Sequence, residues 1–431
     1  MEKGPCSRQK IADIFYISKF FNNEDGTFNR SKKEIYMFNE KMYSLGSKRS
    51  IIREIFEYCK TRAGEIGPDK VFDFSIGNPS VPAPKEINDA ICDLVQNESP
   101  VLLHGYTSAQ GDLGTRTAIA NDISTRFGVD ISPNNIYMTC GAAASLTISL
   151  RALLNAGEEC VVFAPFFTEY RVFIENAGGK VVVSTPMEKT FQIDICDLES
   201  KITENTKAVI VNSPNNPSGV VYNEDTIKAL CATLAKKEKE YGHPIYLIAD
   251  EPYRELVFDD VCVPYLMNYY DNTIVCYSYS KALSLPGERI GYIAVSPKMQ
   301  DSTSVYLAVC GAGRSLGYVC APSLFQQVIK KCIGAKVDVN IYKENRDILY
   351  SALTEYGYEC VQPDGAFYLF VKALESDAYK FYERAKAKEI LVVPCDDFGV
   401  SGYVRIAYCV DKQRIVNALS AFKALAEEYK K

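Results

Sequence analysis

Short apolar runs alternate with longer mixed stretches between residues 136 and 295, and this alternation constrains the fold more than any other feature. Six runs have the length and composition of buried strands. They are 136–139, 160–163, 180–183, 208–211, 245–248 and 273–277. The stretches between most of them are long enough for helical crossovers, so the pattern predicts a mainly parallel sheet with helices on both faces. A seventh run, 290–295, follows too closely for such a crossover and is predicted to join antiparallel.

The chain is too long for one hydrophobic core. Single cores stop growing near about 250–300 residues, and the chain has 431. A helical stretch through Phe325, Val328, Ile329 and Ile333 leads to separate strands at 365–371 and 402–407. We therefore predict a large domain and a smaller α+β domain behind an N-terminal arm that is disordered or loosely docked. The boundaries are 1–45 for the arm, 46–84 with 326–431 for the smaller domain, and 85–325 for the large domain.

Two helical patterns precede the large domain. Ile11 to Phe20 could line one face of a helix, which the polar segment 22–26 would end. From Ser50, a plausible helix cap, apolar residues recur at helical spacing up to Cys59. A strand at 71–76 then leads into Gly77 and Asn78, which on their own would be interpreted as an ordinary turn.

Composition argues against several classes of function. A net charge of −6 without a long basic run gives no reason to expect nucleic acid as a partner. No stretch approaches the roughly 20 apolar residues needed to span a bilayer. A histidine metal site or a hydrolase triad would have to use His104 or His243, the two histidines of the chain, and we expect neither to be catalytic. The fifteen cysteines are scattered without a Cys-x-x-Cys pair, which favours reduced thiols in a cytoplasmic protein.

The segment after the 273–277 run carries the strongest chemical signal. It places Ser278 and Lys281 at the end of a predicted strand, where ligands of open α/β sheets bind, and Arg289 follows in the same motif. A lysine is a nucleophile only when its ammonium loses a proton, and burial near a second cation favours that loss. The competing interpretation is a solvated surface lysine, which is the more common situation for a lysine considered alone.

Other predicted strand ends carry groups that complement a lysine. One strand runs into an Asn-Asn-Pro-Ser-Gly segment that contains Asn216, and the next ends in Asp250-Glu251-Pro252-Tyr253. An earlier strand ends near Phe167. An amide, a carboxylate, a phenol, an aromatic ring and a lysine along one sheet edge indicate a cofactor site. Asp250 could instead cap a helix, and Phe167 could belong to the core.

From about residue 46 to 425 the chain resembles the fold-type I pyridoxal-phosphate enzymes of the class I/II aminotransferase family. The resemblance rests on the Ser-x-Ser-Lys-x-x-x-x-x-Gly-x-Arg pattern, supported by the Asn-Asn-Pro-Ser-Gly and Asp-Glu-Pro-Tyr motifs in the family's order. It implies that Lys281 holds pyridoxal 5'-phosphate as a Schiff base and then moves the proton on the substrate Cα. Asp250 would pair with the pyridine nitrogen, while Tyr253 and Asn216 would bind the phenolic oxygen and Phe167 would stack on the ring.

The phosphate and substrate groups have candidate partners as well. Backbone amides at a helix N-terminus can bind a phosphate dianion, and Ser278 and Arg289 would add a hydroxyl and a two-donor fork. The predicted helix start comprises Gly141, Ala142 and Ala143. The resemblance places Tyr106 at the phosphate of a neighbouring subunit, which implies a homodimer. It also places Arg405, together with the backbone of Gly77 and Asn78, at the substrate α-carboxylate, although a surface arginine on an edge strand is the alternative.

The sequence therefore predicts an aminotransferase that exchanges an amino group between an L-amino acid and a 2-oxo acid in two ping-pong halves. One departure from the family is Thr115 before Arg116, where leucine is common, and we expect it to affect packing only. Arg314 is the one candidate for a second carboxylate-binding arginine. A carbon–sulfur β-lyase using the same cofactor, or a catalytically silent cofactor-binding regulatory module, are the alternatives.

Overall fold

The computed structural model describes residues 38–47 and 51–430. The chain comprises two compact units, Met1–Arg49 and Ser50–Lys431. In the first unit the described part is a helix, α1, at Glu40–Ser47, which has no buried residue. The predicted helix at 11–20 and the Ser50 cap lie outside the described residues, as does most of the predicted arm.

The second unit alternates helices and strands along its length. Its helices are α2 Ile51–Ile66, α3 Lys85–Asn97, α4 Pro100–His104, α5 Leu113–Phe127, α6 Ala142–Leu153, α7 Glu169–Asn176, α8 Ile195–Lys201, α9 Glu224–Tyr241, α10 Tyr279–Ala282, α11 Ser302–Ser315, α12 Ser323–Lys331, α13 Asn340–Tyr356, α14 Ala378–Lys386 and α15 Lys412–Glu428. Its strands are β1 Phe72–Asp73, β2 Ile136–Thr139, β3 Glu159–Phe163, β4 Lys180–Ser184, β5 Thr206–Asn212, β6 Tyr246–Asp250, β7 Thr273–Ser278, β8 Gly291–Val295, β9 Cys360–Val361, β10 Tyr368–Lys372, β11 Ile390–Leu391, β12 Val393–Pro394 and β13 Tyr403–Ala407. None of these helices is long and apolar enough to cross a bilayer.

A seven-stranded sheet with the order β2-β8-β7-β6-β5-β3-β4 confirms the predicted α/β fold. β7, β6, β5, β3 and β4 pair in parallel, and β8 runs antiparallel to both β2 and β7. The antiparallel placement is the one predicted from the short connection after Lys281. All seven predicted strands of this sheet are present, with ends that differ by at most two residues.

Helices cover both faces of the large sheet because its strands are apolar on both sides. The consecutive residues Val161 and Val162 of β3 belong to different cores, one on each face. A third core surrounds the smaller sheets, where Phe74, Phe370 and Phe422 are fully buried. This burial explains why the strand pattern is one of continuous apolar runs rather than of alternating polar and apolar residues.

A four-stranded antiparallel sheet, β12-β13-β10-β9, and the parallel pair β1-β11 form the smaller part. Three sequence predictions here were too long. The strand predicted at 71–76 is limited to Phe72–Asp73. The strand predicted at 365–371 starts at Tyr368, because Ala366 has a φ of 57° and turns the chain. The helix predicted through Ile333 ends at Lys331, before Gly334 at a φ of 86°. The predicted domain boundaries at 84/85 and 325/326 stay a prediction.

The departure at Thr115 has a local structural explanation. Asp112 caps α5 by accepting a hydrogen bond from the Thr115 backbone N at 2.7 Å. The Thr115 hydroxyl donates to Asp112 Oδ2 at 2.9 Å or to the Gln326 carbonyl at 3.0 Å. Thr115 is fully buried, so its hydroxyl needs a hydrogen-bond partner, and these two acceptors provide one. A leucine at this position would have no hydroxyl to satisfy.

Candidate active site

The carboxyl ends of β5, β6 and β7 meet at one edge of the large sheet. Asn212 pairs with Asp250, and Asp250 pairs with Cys276, so the three strands end side by side. A cavity of about 270 Å³ opens at this edge. Most of the predicted site residues line it: Gly77, Ala142, Ala143, Phe167, Asn216, Asp250, Tyr253, Lys281 and Arg405. Residues from the seven-stranded sheet and from the four-stranded sheet therefore build one site.

Asp250 presents one free oxygen to this site. The Tyr170 hydroxyl donates to Asp250 Oδ2 at 2.5 Å, and Asp250 Oδ1 is buried without a partner among the described residues. Burial raises the pKa of Asp250 to about 7, although the bond from Tyr170 opposes this shift. An unpartnered buried carboxylate oxygen is costly unless a ligand donates to it. The helix-cap alternative is wrong, because turns follow β6 rather than a helix.

Lys281 lies within α10, three residues beyond the end of β7, and its Nζ donates to the Gly77 carbonyl at 2.5 Å. The ammonium also lies 5.3 Å from the centre of the Phe367 ring. Burial lowers the pKa of Lys281 to about 8, and the nearby Arg405 and Arg289 add to this shift while Cys409 opposes it. Lys281 is therefore a half-buried amine that can lose its proton near neutral pH, rather than a solvated lysine.

The N-terminus of α6 and Arg289 form a cationic end of the site. Gly141 is the residue that precedes α6, with a φ of 89°, and a Cβ at this position would lie 2.8 Å from Arg289 Nη2. The Arg289 guanidinium therefore packs closely over a position that only glycine can occupy. Ser278 lies next to this end, where its Oγ bonds to Ser280 Oγ at 2.8 Å. Helix amides, a guanidinium and hydroxyls together are suited to a phosphate group.

Arg405 enters the site from the smaller sheet. It lies on β13, an interior strand, and is 3% exposed, so the surface-arginine alternative is wrong. Arg405 Nη1 donates to Asn216 Oδ1 at 3.0 Å, and Nη2 donates to the Ser75 carbonyl at 2.7 Å. Its Nε is buried without an acceptor among the described residues. A carboxylate in the cavity would supply the missing acceptor.

Position 77 needs a glycine because neighbouring side chains leave no room for a Cβ, and not because the chain turns there. A Cβ on Gly77 would overlap the Tyr368 hydroxyl, so only glycine lets this segment approach Tyr368 so closely. The Tyr368 hydroxyl shares a hydrogen bond of 3.1 Å with the Tyr253 hydroxyl. The Arg405 guanidinium lies 4.5 Å from the centre of the Tyr368 ring. Tyr368 therefore connects the backbone at Gly77, the phenol of Tyr253 and the guanidinium of Arg405.

Not every predicted residue reaches the cavity. Asn78 is exposed and does not line it, so its backbone role is not supported by this geometry. Gly141, Ser278 and Arg289 lie behind the lining at the cationic end. Tyr106 is 98% exposed and lies outside this cavity. Arg314 is exposed and likewise lies outside it.

Seven further residues contribute to the site without having been predicted there. They are Ile52, Ile76, Leu146, Tyr170, Asn212, Pro252 and Tyr368. Asn212 Nδ2 donates to the Asp250 carbonyl at 2.9 Å, and its Oδ1 accepts from the Asn216 backbone N at 2.7 Å. Tyr170 follows Pro165 and Phe167 in a pattern that the family shares, but nothing in the sequence indicated which group its hydroxyl contacts. The directions of these side chains arise only from the tertiary fold.

These groups suit a planar aldehyde cofactor that carries a basic ring nitrogen and a phosphate. The free Asp250 oxygen accepts from a protonated ring nitrogen, Lys281 supplies an amine, and the cationic end receives the phosphate. Phe167 lines the cavity at half-burial with its ring 5.7 Å from that of Tyr170, so it is available to a ring rather than enclosed in the core. The fold and the site thus define an α/β enzyme that binds pyridoxal phosphate.

Comparisons with known proteins identify the family. The model for aminotransferase class I and II matches residues 69–422. The aspartate aminotransferase of Thermotoga maritima is 33% identical over 360 residues, which cover 81% of this chain and 90% of that protein. The structure of an aminotransferase from Eubacterium rectale is 56% identical with a TM-score of 0.91, and the match covers 92% of this chain and 100% of that one. The structure of Thermus thermophilus aspartate aminotransferase with maleate is 25% identical with a TM-score of 0.79, over 90% of this chain and 100% of that one.

The chain belongs to the class I and II aminotransferase family. Members of this family depend on pyridoxal phosphate, and this protein is a pyridoxal-phosphate-dependent aminotransferase. The predicted family, fold class, enzyme class and cofactor are thereby confirmed.

The two arginines of the site should give different kinetic defects when each is replaced by alanine. Arg405→Ala should raise KM for amino and oxo acids by more than about tenfold, because a charged hydrogen-bond partner contributes about 1.5–3 kcal/mol. Arg289→Ala should weaken cofactor retention by a similar factor and leave KM of the loaded enzyme nearly unchanged. Steady-state kinetics and equilibrium dialysis of the cofactor measure the two effects. An unchanged KM in the Arg405 variant would contradict its role at the carboxylate.

Proposed function

We propose that Lys281, Asp250 and Arg405 carry out transamination between an L-amino acid and a 2-oxo acid in the cavity described above. The observation that carries this proposal is that the Lys281 amine, the free Asp250 oxygen and the Arg405 guanidinium line one cavity. Arg405 can bind a carboxylate, while Lys281 and Asp250 can hold an aldehyde cofactor that reacts with the amine on the same carbon.

Each residue has a distinct task in this proposal. Pyridoxal phosphate, when bound, supplies an aldehyde for the amine and a ring that takes up electrons. Lys281 would hold the cofactor through its amine and, with the substrate amine in its place, would move a proton to and from the substrate Cα. Asp250, through its unpartnered Oδ1, would hold the ring nitrogen and favour its protonated form. Arg405 orients the substrate by its α-carboxylate, so that the Cα–H bond faces Lys281.

The remaining residues of the site would hold the cofactor in position. Tyr253, with Asn216, would bind the phenolic oxygen of the cofactor, and the hydrogen bond between the Tyr253 and Tyr368 hydroxyls limits the directions in which Tyr253 can donate. Phe167 would cover one face of the ring. The phosphate would be held by Gly141, Ala142, Ala143, Ser278 and Arg289. The backbone at Gly77, whose carbonyl accepts from Lys281, borders the substrate between the lysine and the arginine.

A screen of amino donors tests the proposal. The purified protein, loaded with pyridoxal phosphate, is incubated with single amino acids, and the absorbance of the bound cofactor is followed until one donor changes it. A 2-oxo acid should then restore the original spectrum and yield a new amino acid, as a ping-pong exchange requires. A carbon–sulfur β-lyase would instead release pyruvate and ammonia from cystathionine or cysteine without any oxo acid. The absence of a spectral change with every donor would contradict catalysis and favour the regulatory module.

We further propose that the enzyme is a cytoplasmic homodimer in which Tyr106 completes the partner's phosphate site. Tyr106 is 98% exposed, and the nearby Val101 and Leu102 on α4 are 80% and 79% exposed. Large apolar side chains that are this exposed in one segment are typical of a protein interface. Support for a cytoplasmic location is that every cysteine in the described part of the chain is unpaired, as expected in a reducing compartment.

Mixed dimers should reveal the shared site. Inactive Lys281→Ala subunits are combined with Tyr106→Glu subunits, in which the added charge repels the phosphate. If Tyr106 serves its neighbour, a mixed dimer carries both defects in one site and none in the other, so activity should exceed that of either parent. If Tyr106 serves its own chain, each mixed site carries one defect and no activity is regained. Proven subunit exchange without recovery, or a fully active monomer by sedimentation, would contradict the proposal.

A further inference from the structure

We propose that a second cavity of this protein binds a free amino acid as its zwitterion, outside the active site. The second cavity has a volume of about 300 Å³, and none of the described residues that line it also lines the active-site cavity. Tyr279, Ala282 and Leu283 line the second cavity, whereas Lys281 lines the active-site cavity, so α10 lies between the two. The inference goes beyond transamination, because the proposed reaction uses no residue of the second cavity.

Two phenols in the second cavity lack hydrogen-bond partners. Tyr279 and Tyr292 are 8% and 6% exposed. No described residue bonds to either hydroxyl, and both hydroxyls keep accessible surface, which at this degree of burial belongs to the cavity. Burial raises the pKa of both phenols above the ordinary value, so each keeps a proton to donate. Since a buried hydroxyl without a partner is costly, the two donors indicate an oxygen acceptor in the cavity.

A carboxylate on α5 is available to a positively charged group. Arg126 Nη1 donates to Asp122 Oδ2 at 3.2 Å, and Arg126 Nη2 donates to Glu255 Oε1 at 2.7 Å. Asp122 Oδ1 accepts no hydrogen bond from a described residue. The Tyr277 hydroxyl donates to Glu255 Oε1 at 3.4 Å, so these carboxylates adjoin the tyrosines of the same cavity. An ammonium is a donor that suits Asp122 Oδ1.

The charged groups of the lining favour a ligand without net charge. They are two cations, Arg126 and Lys336, and two anions, Asp122 and Glu255. Lys336 is exposed and forms no ion pair with a described residue, so it can pair with a carboxylate near the opening of the cavity. A ligand with only a carboxylate would face two acidic side chains, and a ligand with only an ammonium would give the phenols no acceptor. An amino acid zwitterion supplies both groups.

Apolar surface in the same cavity suits an uncharged side chain. Ile333 and Ala335 line the cavity and are half-buried, so they keep apolar surface that a ligand can cover. The rings of Tyr277 and Tyr292 stack with their centres 5.0 Å apart and add aromatic surface. Covering such surface with an aliphatic side chain is favourable. Valine therefore combines the groups that the cavity can bind: a carboxylate, an ammonium and a small branched side chain.

Titration with valine and with two analogues that each lack one charge tests this inference. The cofactor-loaded Arg405→Ala variant is first reduced with borohydride, so that neither an aldehyde nor the arginine of the active site can bind valine. We expect calorimetry to show one bound valine for each chain. The analogues 3-methylbutanoate, without the ammonium, and 2-methylpropylamine, without the carboxylate, should bind at least about tenfold more weakly, the factor expected when a charged group loses its partner. Equal binding of either analogue would overturn the inference.

Removal of a phenol hydroxyl should weaken valine binding. Tyr279→Phe and Tyr292→Phe keep the aromatic rings, and each, added to Arg405→Ala, should weaken valine binding at least about tenfold. The control Tyr379→Phe removes the hydroxyl of a tyrosine that is 40% exposed and outside the cavity, so it should change nothing. Both cavity variants should still bind pyridoxal phosphate, which shows that they fold.

The other outcomes each contradict the second site. Valine binding that is present in the reduced wild-type protein and absent in Arg405→Ala would place valine in the active site. Binding that is unchanged in both phenylalanine variants would show that the phenols do not hold the ligand. The absence of binding at millimolar valine would show that the phenols donate only to water. The same titrations on the cofactor-free protein separate these results from the proposed function, which fails only if no amino donor alters the spectrum of the bound cofactor.

Discussion

Lys281→Ala should abolish transamination while the protein still folds and binds its cofactor. Loss of proton transfer by a positioned base costs about 10²–10⁴-fold in rate, and loss of the covalent attachment adds to this. The proposed contacts of Asp250 and the cationic end with the cofactor are kept in this variant, so the affinity for the cofactor should fall less than the rate. Stopped-flow absorbance with an excess of donor measures the rate, and equilibrium dialysis measures the affinity.

Chemical labelling identifies the lysine independently of activity. Reduction of the loaded protein with borohydride should fix the cofactor to the peptide that contains Lys281, as read by mass spectrometry. Lys239→Ala, at an exposed position on α9, is the control and should keep both label and rate. A label on another lysine would contradict the assignment of Lys281.

The pH dependence of cofactor capture follows from the environment of Lys281. Burial lowers the pKa of Lys281 to about 8, so the neutral amine gains population as the pH rises through that value. The rate at which the cofactor-free protein captures pyridoxal phosphate should therefore rise with pH and level off above about 8. An ordinary lysine would show the rise more than two pH units higher.

Asp250→Asn should give the second large defect. The asparagine has nearly the same shape, but it removes the charge that keeps the ring nitrogen protonated. Removing one partner of a buried ion pair costs about 3–5 kcal/mol, so we expect a fall of roughly two to four decades in the single-turnover rate. Asp271→Asn, at an exposed position, is the control and should react as the wild type does. A normal rate in Asp250→Asn would show that the ring nitrogen does not need an anion.

Tyr170→Phe should give a milder version of the same defect, because Tyr170 acts through Asp250 as a positioning residue. The bond at 2.5 Å holds one carboxylate oxygen and opposes the rise in pKa that burial causes. Its loss should raise the pKa of Asp250 further above about 7. The ¹³C resonance of the Asp250 carboxyl, assigned by its absence in Asp250→Asn, measures this shift in the cofactor-free protein. A role in packing alone would leave the resonance unmoved.

Local patterns in the sequence were sufficient for the large sheet. Each strand there is a continuous apolar run, because it is buried on both faces, and helical stretches separate most of the strands. The short connection after Lys281 also indicated that β8 runs antiparallel. The smaller part was less predictable, since β1 and β11 have two residues each, too few to show a periodic pattern. Their pairing depends on contacts between residues more than 300 positions apart, such as Phe72 with Ile390.

The sequence by itself determined which chemical groups were present and at which strand ends they lie. A lysine, a carboxylate and a phenol that follow neighbouring parallel strands must meet at one edge, because such strands share a direction. Only the tertiary structure decided which atoms face the cavity. The bond from Tyr170 to Asp250 joins residues 80 positions apart, and the approach of Tyr368 to Gly77 joins residues 291 positions apart, so no local pattern encodes them. Side-chain direction is set by packing between distant elements, and for that reason the unpartnered Asp250 Oδ1 and Arg405 Nε could be found only in the assembled site.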